Sequence, residues 1–123
     1  DVKLDLTLKT EDYSGKITPN INFLGVLSRQ EVVKKYVSGC TMIHPSVKES
    51  FGLVLIEACQ YELNIITSDL PYVFQTIQPT AVFNPYDSDD IFRVILNYTE
   101  NDVDKPAKLY VKNELNRLIN SLL

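Results

Sequence analysis

The chain has 123 residues, 45% of them hydrophobic and 23% charged, which is the balance of one ordinary globular domain and excludes a disordered or fibrous polymer. A formal net charge of -4 and a pI near 4.9 exclude a nucleic-acid partner, which would need Lys and Arg gathered to replace phosphate counterions. No run approaches the ~20 apolar residues of a bilayer span, and no basic-then-apolar signal segment opens the chain, so the reading is soluble and cytoplasmic.

Val2, Leu4, Leu6 and Leu8 alternate with Lys3, Asp5, Thr7 and Lys9, the period of an edge-like strand with one face in a core and one in water. Asp12, Ser14, Gly15, Pro19 and Asn20 each favour a turn for a separate backbone reason, which makes 11–20 a loop. A short strand over 21–24 stops at Gly25. Ser28 stands three residues before Glu31, a capping-box spacing, and Val32, Val33, Tyr36 and Val37 recur at helical intervals up to Gly39. Cys40 to Ile43 is apolar on both alternations, as suits a strand covered on both faces in a parallel sheet, and it ends at His44-Pro45-Ser46.

Between Phe51 and Tyr61, the positions Leu53, Val54, Leu55, Ile56 and Ala58 make a helix that is apolar nearly all round, hence largely buried. A buried strand over 64–68, a turn at Asp69-Leu70-Pro71, a short helix over 73–77 and a last strand over 80–83 follow. Asp87 or Ser88 caps a helix through Ile91, Val94, Ile95 and Tyr98. A final amphipathic helix runs from Lys105 to Leu122 with Leu109, Leu115, Leu118 and Ile119 inward. Strands alternating with helices over such short links imply an α/β fold, a Rossmann-like three-layer parallel sheet with helices on both faces. Cys40 and Cys59 lack the number and spacing of a disulfide framework or a zinc site and read as buried thiols in a reducing compartment.

The segment from His44 to Ala58 leaves a strand end, turns and enters the buried helix. Ligands of open α/β sheets bind beyond the carboxyl ends of the strands, where a helix N-terminus offers unpaired N–H groups to an anion. Gly52 removes a side chain where a diphosphate would approach, and the amides of Phe51, Gly52 and Leu53, read as first-turn residues, are free to donate. Glu57, lower on that helix, must find donors or face a polar pocket, and two ribose hydroxyls suit a carboxylate that accepts both. His44 reads either as a polar group near a ligand or as a strand-end side chain satisfied by backbone; Lys48 reads either as a phosphate contact or as a solvated loop lysine. The seven tyrosines look like dispersed packing, and Ser46, Ser50 and the single histidine form no triad.

Glu49 and Glu57 are separated by seven residues, with Phe51-Gly52 just after the first. In this the sequence resembles the C-terminal domain of family-4-type retaining glycosyltransferases of the two-domain GT-B fold. Asn22-Phe23-Leu24-Gly25 is similar to that family's strand ending in glycine, Pro45-Ser46 to its turn, Ser68 to Tyr72 to the loop after the next strand, and Asn84 to Asp87 to the element before its penultimate helix. The pair of glutamates alone is weak; the ordered context over about residues 20–100 is what carries the resemblance. It implies that Glu49 lies beside the donor sugar as the catalytic glutamate. Ser50, Phe51, Gly52 and Leu53 would meet the sugar-diphosphate, with His44 and Lys48 alongside, and Glu57 would hold the ribose. It implies no metal and no cofactor, a nucleotide-diphospho-sugar as co-substrate, and a parent enzyme of surface-polysaccharide synthesis at the inner face of a membrane.

Two departures stand out. The family has a small residue, Gly and Pro between this helix and the next strand, whereas the chain has Tyr61-Glu62-Leu63-Asn64, which puts strain or a different turn at the cap. The family's Arg and Lys that neutralise the leaving diphosphate, and its acceptor-binding domain, would lie upstream of Asp1, so this reading expects a fragment that is inactive alone. Without the family's first, central strand, the exposed sheet edge is expected to support a homodimer. The rival readings are a GT-B-fold nucleotide-sugar 2-epimerase and a catalytically silent Rossmann-like interaction module.

Overall fold

Two short parallel strands open the chain in the computed structural model, which describes residues 2–109 and 119–123. The chain divides into two compact units, Asp1–Ser38 and Gly39–Leu123. In the first unit β1 (Leu4–Leu6) pairs in parallel with β2 (Ile21–Phe23), Asp5 facing Asn22 in register. Asp5 accepts from Asn22 Nδ2 at 2.9 Å and pairs with Lys35 Nζ at 2.6 Å. The Lys35 hydrogen bond is the main reason its carboxyl lies below the usual range. The alternating leucines do not reach a closed core among the described residues: Leu6 is half-buried, but Leu4 and Leu8 stay exposed. Two three-residue strands and one helix have too little apolar surface to enclose that face.

Helix α1 (Arg29–Val37) begins with the expected capping box: Ser28 Oγ accepts from the Glu31 amide at 3.2 Å, and Glu31 Oε2 accepts from the Ser28 amide at 2.7 Å. Tyr36 is its buried residue; Val37, expected on the inner face, is 71% exposed because it falls off the Val32-Val33-Tyr36 stripe. Gly39, at φ +80°, stops the chain's helical path.

The second unit holds three parallel strands, β3 (Met42–His44), β4 (Ile65–Ser68) and β6 (Ala81–Phe83), in the order β3-β4-β6. Helix α2 (Leu53–Gln60) joins the first two and packs against β4. Helix α3 (Pro71–Phe74) and the two-residue β5 (Ile77–Gln78) lie between β4 and β6, and α4 (Ser88–Glu100) follows. Ile43, Ile66 and Ala81 are register partners on one face. With Phe83 they meet Val94, Ile91 and Tyr98 of α4. Ile65 and Thr67 alternate to the opposite face and are fully buried, as are Leu55 and Ala58 of α2. The molecule is therefore α/β and Rossmann-like with parallel sheets. Strand β4, central in its sheet, is buried throughout; β3, expected to be covered on both faces, is only half-buried because it ends that sheet.

The end of α2 explains how Glu62 replaces the usual glycine. Its φ is +57°, the Glu62 amide donates to Cys59 O at 3.0 Å and the Leu63 amide to Ala58 O at 3.3 Å. This is a Schellman closure built with a non-glycine residue, and the sequence's departure resolves as strain at an unchanged turn. Asn64 ties the strand start to the chain beyond α4: its Nδ2 donates to Tyr98 Oη at 2.9 Å and to Val103 O at 3.3 Å, and its Oδ1 accepts from the Lys105 amide at 3.1 Å. Tyr98 Oη also meets Thr41 Oγ1 at 2.6 Å, so this tyrosine is a hydrogen-bonding pin as well as packing.

Asp87 is the cap of α4, accepting from the amides of Asp89 and Asp90. The expected helix over 73–77 sits earlier, with Pro71 in its first turn, and Ile77 joins β5 instead. The final helix expected from Lys105 does not start there. Lys105 precedes Pro106, which disfavours helical backbone, the Ala107 amide donates to Leu63 O, and β7 (Lys108–Leu109) pairs antiparallel with β5. The body of that helix, including Leu115 and Leu118, lies outside the described residues; 119–122 are helical and Ile119 is buried. Cys59 is buried, which pushes its thiol up to about 12, and Cys40 is half-buried.

Candidate functional site

His44 ends β3 in register with Thr67 of β4, and the Thr67 hydroxyl donates to His44 O at 2.8 Å. Two adjacent strands thus stop together, and the chain must cross from their carboxyl ends into α2 through residues 45–52. Two hydrogen bonds shape that loop. Ser46 Oγ donates to Lys48 O at 3.0 Å, and Tyr72 Oη of α3 donates to Ser46 O at 2.7 Å. Tyr72 is therefore more than the packing residue its scattered spacing suggested; it holds the loop from a second element.

The loop returns Glu49 to His44. Glu49 Oε1 lies 3.2 Å from His44 Nε2, with the side chains 31% and 15% exposed. Burial lowers the imidazole's proton affinity below its ordinary value, and Glu49 opposes this in part. His44 Nδ1 is buried with no hydrogen-bond partner among the described residues. The ring of His44 is paired with Glu49, and the residue's own backbone also favours retention of the ring proton. Burial raises the Tyr72 phenol, and the nearby Glu49 carboxylate acts in the same direction against the hydroxyls of Thr67 and Ser68. Ser68 is fully buried, and its hydroxyl lies toward the Tyr72 phenol.

Gly52 caps α2 at φ +62°, and its carbonyl accepts from the amides of Leu55 and Ile56 at 3.0 and 3.2 Å. A Cβ there would find only ordinary contacts, the nearest being Thr76 Oγ1 at 3.6 Å, so left-handed backbone rather than lack of space requires glycine. The first helical turn begins at Leu53, not Phe51 as expected: the reversal at Gly52 leaves Phe51 outside the helix and 72% exposed. The amides of Leu53 and Val54 open the helix, where intrahelical partners are lacking by geometry. Ser50 and Lys48 are exposed on the loop, and Glu57 is half-buried at the start of the second turn of α2. Thr67, Ser68 and Tyr72 were not singled out as site residues. The signal for the first two was a polar pair closing an apolar strand, the sheet end at which such folds bind ligands.

Parallel strands whose carboxyl ends carry buried polar side chains, joined through a left-handed glycine to the start of a buried helix, define a Rossmann-like α/β domain. Residues 2–116 match the family model described as glycosyl transferases group 1, and the chain belongs to that family. Comparison with curated proteins and with solved structures gives no match.

Proposed function

We propose that this chain is the donor-binding domain of a retaining glycosyltransferase that moves a sugar from a nucleotide diphosphate to a saccharide or lipid-linked acceptor, in surface-polysaccharide synthesis at the inner face of a membrane. The observation that carries the reading is the opening of α2 behind the ends of β3 and β4, with Glu49 folded back against His44 at 3.2 Å. Unpaired first-turn amides and the positive end of a helix suit a diphosphate. In this reading the Leu53 amide, with the Phe51 and Gly52 amides before it, meets the sugar-diphosphate, with Lys48 and Ser50 at its edge. Glu49 lies at the sugar as the catalytic glutamate, and Glu57 accepts from the ribose hydroxyls. No metal enters the scheme; the helix end and the donor's own hydroxyls supply its polar contacts.

Calorimetric titration with UDP-, GDP-, ADP- and dTDP-hexoses tests it. At least one should bind saturably, and Glu57→Ala should weaken that binding about tenfold or more, the cost of losing hydrogen bonds to a charged group. Indifference to the whole panel would overturn the reading in favour of a silent interaction module.

A further inference from the structure

Glu49 belongs to a loop, and a loop carboxylate is useful beside a reacting sugar only if something fixes it. The contact that fixes it in this structure comes from the end of β3: His44 Nε2 stands 3.2 Å from Glu49 Oε1, and the imidazole is the less exposed of the two groups. The two ring nitrogens are in different situations. Nε2 faces an acceptor, so a proton there makes a hydrogen bond. Nδ1 is buried without a partner at hydrogen-bond geometry among the described residues, and the residue's own backbone restores only part of the cost of burial, so a proton there is the less well satisfied. Between the two neutral tautomers, the chemistry of the surroundings selects the one protonated on Nε2.

We propose that His44 is a positioning residue: in its neutral Nε2–H tautomer it donates to Glu49 and holds that carboxylate at the strand-end crevice. The imidazole is anchored by the strand itself, since the His44 carbonyl accepts from Thr67 within the sheet. The loop that carries Glu49 is anchored separately by Tyr72 through Ser46 O. The ionisable group that acts on the ring is Glu49 from the loop, which itself lies near the Tyr72 phenol of α3. Burial disfavours the imidazolium by more than Glu49 and the residue's own backbone restore, which is why the neutral ring is the working form. The consequence for a donor sugar rests on the reading of the site given above; the pairing itself does not.

The sequence contains one histidine, so imidazole nitrogen and carbon resonances of the whole chain report on His44 alone. The expected result is an Nε2–H tautomer with a titration midpoint below 6.5, displaced further downward by Glu49→Gln, which removes the neighbouring anion. An Nδ1–H tautomer, or resonances indifferent to Glu49→Gln, would overturn the proposal. In parallel, the panel of UDP-, GDP-, ADP- and dTDP-hexoses is titrated into His44→Ala and His44→Gln. The alanine variant should lose about tenfold or more in affinity, and the glutamine variant, whose amide can donate from nearly the same place, should recover most of it. Equal losses in both variants, or none in either, would overturn the positioning role. If no nucleotide sugar binds the unmodified chain, the donor reading fails, while the imidazole measurement still decides whether His44 holds Glu49.

Discussion

At the scale of single residues, His44 couples the site to pH. Its imidazole is held below the ordinary value of 6.5, mainly by burial, with Glu49 acting the other way. A base whose folded-state proton affinity is depressed is neutral in both states above 6.5 and costs nothing there. Below that value the unfolded chain takes up a proton that the fold resists, so stability falls as pH drops toward the folded-state midpoint. Glu31, Asp5 and Asp90 are all lowered from 4.5, 3.8 and 3.8 by hydrogen bonds made in the fold, and their contribution is present above those values and lost below them. Urea unfolding across pH should therefore show two declines, one beginning below 6.5 and one below about 4.5, and His44→Gln should abolish only the first. A flat profile between pH 7 and 5 would show that the imidazole titrates as freely in the fold as in the unfolded chain. The residues of this site were legible as types: His44, Glu49, Gly52 and Glu57 were all singled out. What one sequence could not supply was which side chain faces which, so the His44–Glu49 pair and the Tyr72–Ser46 clamp emerged only in three dimensions.

At the scale of elements, the caps were legible and the two-residue strands were not. Ser28 with Glu31, and Asp87, name their helix starts because a side chain and an amide three or fewer residues apart must meet. Glu62 was legible as a departure, and its φ of +57° turns the departure into a measurable strain. A non-glycine residue in left-handed backbone costs roughly 1–2 kcal/mol, so Glu62→Gly should stabilise the chain by about 1 kcal/mol after the entropy of the added glycine is subtracted. In calorimetry that is a rise in melting temperature of about 3–6 °C. An unchanged or lowered melting temperature would mean that the Glu62 side chain makes a compensating interaction. By contrast, β5 and β7 are two residues each, too short to carry a period, and their pairing joins Ile77 to Leu109 across thirty-odd positions of chain. The same tertiary pairing overrode the helical pattern at Lys105.

At the scale of the whole molecule, burial is unevenly shared. Among the described residues Tyr36 is the one buried side chain of Asp1–Ser38, whereas every residue of β4 is buried in Gly39–Leu123. Opening free energies follow buried apolar contact, and an isolated two-stranded pair is marginal in water. Amide hydrogen exchange should therefore leave the Ile65–Ser68 amides exchanging only with global unfolding, and the Leu4–Leu6 and Ile21–Phe23 amides exchanging orders of magnitude faster. Equal protection in both sets would mean that the first unit shares the stability of the second.

The amino-acid sequence determined by itself the alternation of strands and helices, the parallel sense of the sheet and the starts of α1 and α4, because these follow from local period, capping and connection length. Membership of the group 1 glycosyl transferases rests on the same ordered pattern along the chain. Tertiary structure decided where the α2 amides begin, which loop residues are clamped, that Glu49 folds onto His44, and how the chain after α4 is tied back through Asn64 and Thr80. Those outcomes depend on contacts between residues far apart in the chain, and a side chain's partner across a sheet end is fixed by packing rather than by its neighbours in sequence.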